Sequence, residues 1–196
     1  MLVLREAGDR SMVADRGANA RLLPEDLPER LQAGAVLVSG YLFFDPGSEP
    51  AARAALERAD SPLVAVDAAS WPLLEAYGPE RFLEAVAGAN VLLVNEREAD
   101  VLSQDGRVKL EDRFEMVCRK RGAEGATLAS RGRVLTARPE PVDHLVDPTG
   151  AGDAFDGVLL AALASGTAEE GALQKACEAG RAVASSAATW PPEGGS

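Results

Sequence analysis

Several residue types are scarce in this chain of 196 residues, and each scarcity excludes a class of protein. The only two cysteines, Cys118 and Cys177, lie far apart and form no Cys-x-x-Cys pair. This usage predicts neither a disulfide framework nor a redox motif, and it fits a reducing compartment. With a single histidine, His144, the chain also lacks the usual ligands of a zinc site. If the protein uses a metal, we expect a hard cation held by oxygen atoms.

Positive charge and long apolar runs are scarce as well. The 20 lysine and arginine residues stand against 31 aspartate and glutamate residues, which leaves a formal net charge of −11. Such a surface repels phosphate backbones and anionic lipids, so neither nucleic acid nor a membrane is expected as a partner. No uncharged run reaches the ~20 residues that span a bilayer, and Arg5 and Glu6 come too early for a signal peptide. A cytoplasmic protein is the expectation.

The order of the apolar segments predicts an α/β fold. Short apolar runs at residues 35–39, 62–66 and 91–94 are typical of strands that are buried on both faces. Helical spacing of apolar residues predicts helices at residues 49–59, 79–87, 96–102, 110–120, 151–164 and 169–187. This alternation predicts a mostly parallel central sheet that is covered by helices on both faces.

Two hairpins and one domain complete the predicted organisation. Turn residues between short apolar runs predict one hairpin across residues 8–9 and another across residues 131–132. No linker or internal repeat interrupts the pattern. We therefore expect residues 1–190 to form a single α/β domain, followed by a mobile tail at residues 191–196.

The segment that indicates chemistry comprises residues 147–155, which read DPTGAGDAF. Gly150 and Gly152 enclose a small residue just before a predicted helix, whose first turn offers unpaired N–H donors and the positive end of the helix dipole. Two positions without side chains let an anion such as a phosphate approach these donors. Backbone donors can bind a small anion whatever the net charge of the protein, so the segment predicts an anion-binding turn.

Asp153 follows this turn directly. A carboxylate beside a bound anion is unfavourable unless it has a task, and a natural one is to accept the proton of a hydroxyl that attacks a phosphate. Two other phosphate motifs do not fit: a Walker loop needs Lys-Ser/Thr where Asp153 and Ala154 stand, and a dinucleotide fingerprint needs glycine in place of Phe155. The alternative is a glycine-rich helix start with Asp153 as an ordinary first-turn acid.

Residues 147–155 also resemble the C-terminal signature of the ribokinase/PfkB family of carbohydrate kinases. The resemblance implies a ribokinase-like three-layer αβα fold with a mostly parallel central sheet. It implies that Asp153 is the catalytic base and that the backbone of Gly150, Ala151 and Gly152 forms an anion hole. The donor implied is ATP with Mg²⁺, and the acceptor is a sugar or a sugar-like alcohol.

Two further segments match the same family in the same order. Residues 95–98 (NERE) resemble its Asn-x-x-Glu motif, which implies that Glu98 places Mg²⁺ through water and that Asn95 lies near the nucleotide phosphates. From the residues alone, this pair is equally a helix N-cap with a capping box. The family's nucleotide side is also implied for Thr149 in the signature.

Residues 122–126 (GAEGA) resemble the family's Gly-Ala-x-Gly turn near the nucleotide phosphates. The resemblance therefore assigns Gly122, Ala123 and Gly125 to nucleotide binding. The alternative from the residues alone is a helix stop followed by a turn. Asp67 is a weaker candidate, since it ends an apolar run at the rim of the predicted sheet but lacks the Asp-Pro-Asn pattern of the family.

The resemblance does not extend to the long N-terminal portion of the family, which holds a Gly-Gly motif, much of the sugar pocket and the lid strands. Residues 10–19 resemble a stretch that in sugar-acid kinases returns from the lid to the core. Arg16 and Asn19 are therefore candidate acceptor contacts, with exposed turn residues as the alternative. A sheet without its first strands would expose an apolar edge, so we expect a homo-oligomer or a complementary chain.

Three interpretations of function stay open at this point. The first is a carbohydrate kinase, similar to sugar-acid kinases or fructokinases. The second is a non-catalytic nucleotide- or anion-binding subunit, or a truncated kinase fragment. The third is a nucleoside or vitamin-precursor kinase of the same family. His144 is expected to be structural or exposed under all three.

Overall fold

The computed structural model describes residues 2–6, 9–13, 16–141 and 145–186, with side chains from residue 16 onward. The strands are β1 (Leu2–Glu6), β2 (Asp9–Val13), β3 (Leu31–Gln32), β4 (Val36–Ser39), β5 (Ala59–Asp60), β6 (Val64–Asp67), β7 (Val91–Asn95), β8 (Met116–Lys120), β9 (Ala126–Ser130) and β10 (Arg133–Ala137). The α-helices are α1 (Glu49–Arg58), α2 (Trp71–Tyr77), α3 (Pro79–Ala85), α4 (Glu96–Ser103), α5 (Ala151–Ala164) and α6 (Glu169–Ala184).

The main sheet of the described residues has six strands in the order β10-β9-β8-β7-β6-β4. Strands β4, β6, β7 and β8 are parallel to their neighbours, whereas β8, β9 and β10 form an antiparallel meander. The pair β9–β10 confirms the hairpin predicted across residues 131–132. The pair β1–β2 confirms the other predicted hairpin. The sheet is therefore mostly parallel, as the alternation of segments predicts.

Two apolar cores lie on opposite faces of this sheet. Successive strand residues alternate between them: Val64 and Val66 pack with α1 to α4, while Ala65 packs with α5 and α6. The same alternation places Leu92 on the first face and Leu93 on the second. Since side chains of a strand point alternately to its two faces, a strand buried on both sides needs apolar residues throughout. The three-layer αβα arrangement is therefore confirmed.

One predicted helix is wrong. Residues 110–120 were expected to be helical, yet they form a short 3-10 turn at Leu110–Asp112 and then strand β8. The buried side chains of Leu110, Phe114 and Val117 follow helical spacing, which explains the prediction. Strand β8 instead hydrogen-bonds to β7 on one side and to β9 on the other. Such pairing depends on distant segments, so local periodicity does not reveal it.

The remaining differences concern helix ends and one unpredicted helix. Helix α1 ends at Arg58, and Ala59 belongs to β5. Helix α2 was not predicted; it begins with Pro72 in its first turn, where a missing N–H costs nothing. The predicted tail at residues 191–196 lies outside the described residues. Of the helices in the described part of the chain, none has the length and apolar character needed to cross a membrane.

The carboxyl ends of three parallel strands place polar residues at one edge of the sheet. Asp67 ends β6, Asn95 ends β7 and Lys120 ends β8. The N-terminal half of α5 reaches the same edge, because Asp156 of this helix pairs with Lys120. In parallel α/β sheets, ligands bind outside the carboxyl ends of the strands. This edge is therefore the place to look for a site.

Candidate active site

The predicted anion-binding turn precedes α5 directly. Gly150 has a φ of +81°, in the left-handed region that side chains other than glycine rarely adopt. The carboxylate of Asp147 shapes the turn, because its Oδ1 accepts hydrogen bonds from the N–H of Thr149 at 2.9 Å and from its hydroxyl at 2.6 Å. The first helical hydrogen bond runs from the N–H of Ala154 to the carbonyl of Gly150. A glycine before a helix start is thus required by geometry.

Asp153 is exposed in the first turn of α5, where the resemblance places a base. Its position in the open, rather than under packed side chains, meets the first requirement for a group that receives a proton from a ligand. Its charge also reaches the neighbouring groups, since it helps to raise the pKa of Tyr41 and of Asp156. The role of Asp153 itself remains a prediction.

A cavity of about 300 Å³ joins the signature turn to the turn after β8. Residues of both predicted motifs line it, namely Ala151 and Gly152 on one side and Gly122, Ala123 and Gly125 on the other. The rest of its wall comes mainly from α5, α6 and the loop residues Pro139, Glu140, Pro141, Leu145 and Pro148. The structure therefore brings together two motifs that are about 25 residues apart in the chain.

Gly125 shows why the second motif needs glycine. Its φ is +89°, and a Cβ at this position would lie 2.0 Å from the carbonyl oxygen of Ala137. The turn is closed by a hydrogen bond from the N–H of Arg121 to the carbonyl of Gly125 at 2.8 Å. The alternative of a helix stop is wrong, because the preceding segment is strand β8. The turn itself is confirmed.

Asn95 and Glu98 form the capping box that the residues alone predict. The side-chain oxygen of Asn95 accepts from the N–H of Glu98 at 2.9 Å, and the Glu98 carboxylate accepts from the N–H of Asn95 at 2.7 Å and from its side-chain amide at 2.7 Å. Glu98 is 3% exposed. Burial and the charge of Asp67 raise the pKa of Glu98, although the hydrogen bonds from Asn95 oppose this shift.

The donor set at this edge suits a magnesium ion held partly by water. Within the described ranges, no three acidic, histidine or cysteine side chains come close enough to hold a metal by themselves. Mg²⁺ usually takes one or two carboxylates together with water and substrate phosphates, so a single carboxylate is compatible with a water-mediated contact, and the role of Glu98 stays a prediction. Neither Asn95 nor Glu98 lines the cavity between the two turns.

Lys120 is the feature that the sequence analysis missed. Its Nζ donates to Asp67 Oδ1 at 2.9 Å and to Asp156 Oδ2 at 2.8 Å. Burial would lower the pKa of Lys120, but the charges of Asp156 and Asp67 outweigh this effect and raise it. Burial also raises the pKa of Asp156, against the opposing charge of Lys120. The position of Asp67 at the rim of the predicted sheet already indicated this edge. Because residues 110–120 were predicted to be a helix, Lys120 was not recognised as the end of a neighbouring strand.

The two candidate acceptor residues differ in their positions. The Arg16 guanidinium donates to the carbonyl of Tyr41 at 2.9 Å and lies 5.8 Å from the centre of the Tyr41 ring. Burial, followed by the charges of Asp67, Glu98 and Asp153, raises the pKa of Tyr41. Arg16 therefore lies beside a residue whose pKa these three carboxylates influence.

Asn19 is exposed in the 3-10 turn that follows Arg16, at Gly17–Arg21. Its backbone N–H donates to the carbonyl of Arg16 at 2.9 Å, which is a contact of the turn itself. An acceptor contact of Asn19 stays a prediction. His144 lies outside the described residues.

Comparison with known proteins places the chain in one family. A family model described as pfkB family carbohydrate kinase matches residues 1–192. No curated protein matched in a separate search. Among solved structures, the aminoimidazole riboside kinase from Salmonella enterica, complexed with aminoimidazole riboside and an ATP analogue, matches 90% of this chain and 64% of its own with a TM-score of 0.76 and 26% identity.

Two more solved kinases share the fold. The adenosine kinase from Sinorhizobium meliloti matches 88% of this chain and 56% of its own, with a TM-score of 0.79 and 21% identity. The fructokinase from Vibrio cholerae with fructose, ADP and calcium bound matches 86% of this chain and 60% of its own, with a TM-score of 0.69 and 22% identity. The chain thus spans less than two thirds of the length of these kinases. On the match over residues 1–192, this chain belongs to the pfkB family of carbohydrate kinases.

Proposed function

We propose that this chain carries the phosphoryl-transfer site of an ATP-dependent kinase that phosphorylates a hydroxyl of a sugar or a sugar-like alcohol. The observation that supports it is the exposed Asp153 beside a glycine turn whose residues Ala151 and Gly152 line a cavity. The structural relatives support the same substrate classes. The Salmonella enterica kinase was solved with a riboside and an ATP analogue, and the Vibrio cholerae kinase with fructose and ADP.

In the proposed reaction, Asp153 acts as the general base. The acceptor hydroxyl oxygen attacks the γ-phosphorus of ATP, the bond from that phosphorus to the bridging oxygen of ADP breaks, and the hydroxyl proton passes to the Asp153 carboxylate. The N–H groups at Gly150, Ala151 and Gly152, with the positive end of the α5 dipole, hold the charge of the phosphoryl group in transit. The protein contributes little covalent chemistry to such a transfer, so most of the rate enhancement comes from positioning the reactants.

Glu98 is proposed to hold Mg²⁺ through water. When bound, Mg²⁺ would offset the negative charge of the nucleotide phosphates. The capping box with Asn95 fixes the Glu98 carboxylate at the start of α4, so its position does not depend on the ligand. Asn95 and Thr149 are proposed to lie near the phosphates, and the turn with Gly122, Ala123 and Gly125 is proposed to border them.

On the acceptor side, we propose Arg16 together with Tyr41. The Arg16 guanidinium donates to the backbone carbonyl of Tyr41 just after β4 and lies 5.8 Å from the centre of its ring, and the carboxylates of Asp67, Glu98 and Asp153 influence Tyr41. A guanidinium and a phenol suit an acceptor with several hydroxyls or with a carboxylate. Because riboside and adenosine kinases share this fold, a nucleoside acceptor is the alternative within the family.

A non-catalytic nucleotide-binding subunit is the second candidate function. Strand β4 is the edge of the main sheet and pairs only with β6 in the described part of the chain. Leu37 of this strand is 43% exposed. An unpaired edge with an exposed apolar side chain favours association, either with a second copy or with a complementary chain that supplies the acceptor half.

The experiment that tests the proposal compares Asp153→Asn with the parent chain. Calorimetry measures the affinity for Mg-ATP, and a panel of sugars, sugar acids and nucleosides measures transfer. We expect Asp153→Asn to lower kcat by about 10²–10⁴-fold, because the base is lost. Its dissociation constant for Mg-ATP should change by less than about threefold.

The matched control is Glu170→Gln, which removes an exposed acid from the first turn of another helix, α6. It should behave like the parent in both measurements. Equal turnover by Asp153→Asn and the parent would overturn the assignment of the base. Binding of Mg-ATP without transfer to any acceptor would favour the second candidate function.

A further inference from the structure

A buried lysine joins three elements at the edge of the sheet. Lys120 ends β8, and its ammonium contacts Asp67 at the end of β6 and Asp156 in the second turn of α5. The side chains are 16%, 18% and 2% exposed, respectively. The same helix carries Asp153 one turn before Asp156. These two ion pairs therefore connect the helix that bears the proposed base to two strands of the sheet.

Stabilisation of the fold does not by itself explain the set of charges in this cluster. It combines one cation with two carboxylates, and Asp156 Oδ1 is buried without a hydrogen-bond partner among the described residues. Burying charged groups costs solvation that their attraction often fails to offset, so apolar residues would stabilise the same contact at least as well. An unpartnered carboxylate oxygen is a further cost. The cluster needs a second explanation.

Its location supplies that explanation. The ammonium of Lys120 lies 3.9 Å from the point that a Cβ on Gly152 would occupy, directly behind the turn whose amides are proposed to hold a phosphate. Lys120 also lines the cavity between the two turns. The other cation in the cavity wall, Arg181, is paired with Glu178 at 2.7 Å.

Negative charge accumulates around this point. The carboxylates of Asp67, Glu98 and Asp153 all act on Tyr41, and Asp153 acts on Asp156 as well. An incoming nucleotide triphosphate would add further negative charge. In a partly buried site of low dielectric, like charges repel strongly. Without an ammonium at this position, the edge would disfavour the ligand that the site is proposed to bind.

We propose that Lys120 is a positioning residue of this site, which holds the start of α5 against β6 and offsets the charge of Asp67 and Asp156 so that a phosphate can bind at the adjacent turn. The inference rests on the proposed function. In turn, the charges of the two carboxylates raise the pKa of Lys120 despite its burial, and the amine therefore stays protonated.

The test uses four variants of the full chain: Lys120→Met, Asp156→Asn, the double variant Lys120→Met/Asp156→Asn, and Arg119→Met as the control. Arg119 is the neighbouring residue of the same strand, and it makes a partly exposed ion pair with Glu111. Calorimetry with Mg²⁺ and a non-hydrolysable ATP analogue gives the dissociation constant. Steady-state kinetics gives kcat and KM, at a temperature where circular dichroism shows each variant folded.

We expect Lys120→Met to weaken binding of the analogue by at least about tenfold, because two carboxylates then face the phosphate without a cation. Removing one of them in the double variant should restore the dissociation constant to within about threefold of the parent. Its kcat should stay at least about tenfold low, because no ion pair then fixes the start of α5 relative to the end of β6. Asp156→Asn alone and Arg119→Met should bind like the parent.

Two outcomes overturn the inference. One is a folded Lys120→Met that binds the analogue like the parent, which would leave the cluster a purely structural role. The other is a double variant that recovers kcat or fails to recover binding. Where Lys120→Met does not fold, the double variant alone decides by the same criteria. If Asp153→Asn keeps full turnover, the proposed function fails, while the binding comparison still tests Lys120, since it needs no turnover.

Discussion

The cluster around Glu49 and the cluster around Lys120 are each built on one charged side chain with several partners, but they differ in charge balance. The Glu49 carboxylate accepts hydrogen bonds from Arg53 at 2.8 Å, from the Tyr77 hydroxyl at 2.8 Å and from Arg81 at 2.8 Å. Burial would raise the pKa of Glu49, but these partners outweigh it and lower the value. Here the acid is surrounded by donors.

The Lys120 cluster has the reverse composition. One ammonium serves two carboxylates, and one oxygen of Asp156 remains without a partner among the described residues. Burial raises the pKa of Asp156, so its charged form is disfavoured in the folded chain. The comparison indicates that the Glu49 cluster stabilises the packing of α1 on α2 and α3. The Lys120 cluster, by contrast, buries charged groups at a cost in folding free energy, and it does so at the edge where a phosphate is proposed to bind.

Removing the central lysine should have the largest effect on stability. In Lys120→Met, two carboxylates are left without their cation in a buried position, so we expect the free energy of unfolding to fall by about 3–5 kcal/mol. Urea denaturation at neutral pH measures this loss. The double variant Lys120→Met/Asp156→Asn should recover part of it. A loss below about 1 kcal/mol would show that water reaches the cluster freely.

The pH dependence of stability separates the two clusters next. Because the pKa of Asp156 is raised in the folded chain to about 7, the unfolded chain releases this proton first, and stability falls as the pH rises from about 4 to about 7. Relative to Asp156→Asn, the parent should lose about 3–4 kcal/mol over this range, because one proton contributes about 1.4 kcal/mol per pH unit. Urea denaturation of both chains at several pH values measures the difference. Parallel curves would contradict the buried position of this carboxylate.

Neutralising the acid of the balanced cluster should have a smaller effect. Glu49→Gln keeps the shape of the side chain but loses the charge that its partners bind, and Arg53 and Arg81 are 43% and 58% exposed, so water can solvate them. We therefore expect a loss of about 1 kcal/mol. Urea denaturation near pH 7 provides the value, with Tyr77→Phe as a variant that removes one donor only. A loss in the free energy of unfolding as large as that of Lys120→Met would contradict the inference that the two clusters differ in how well their charges are compensated.

The smallest change in the free energy of unfolding is expected for a surface ion pair. Arg133 and Glu170 lie 3.1 Å apart, with side chains 68% and 61% exposed. Since water screens such a pair, Glu170→Gln should change the free energy of unfolding by less than about 0.5 kcal/mol. The same denaturation experiment measures it. A larger change would indicate that Glu170 has a role in the start of α6 beyond this pair.

Much of the fold was predictable because it depends on local sequence. The helix at residues 151–164 was predicted with the bounds that the structure has, and the apolar runs at residues 35–39 and 91–94 correspond to β4 and β7. Each of these segments shows its pattern within a few consecutive residues. The helix expected at residues 110–120 was wrong, because strand β8 owes its form to pairing with β7 and β9.

The candidate site divides in the same way. The turn before α5, the positive φ of Gly125 and the capping box of Asn95 and Glu98 all involve residues within four positions of each other, so backbone geometry and local hydrogen bonds dictate them. The roles of these residues in phosphoryl transfer stay predictions. The sequence by itself therefore determined the turns and caps that present backbone donors.

Only the tertiary structure decided which charges meet at these donors. Asp67, Lys120 and Asp156 are far apart in the chain, and they come together because β6 and β8 are aligned on either side of β7 while α5 packs against the sheet. The register of strand pairs and the approach of a helix sum many weak contacts across the whole chain. No short stretch of residues contains that information, so the buried lysine became visible only in the folded chain.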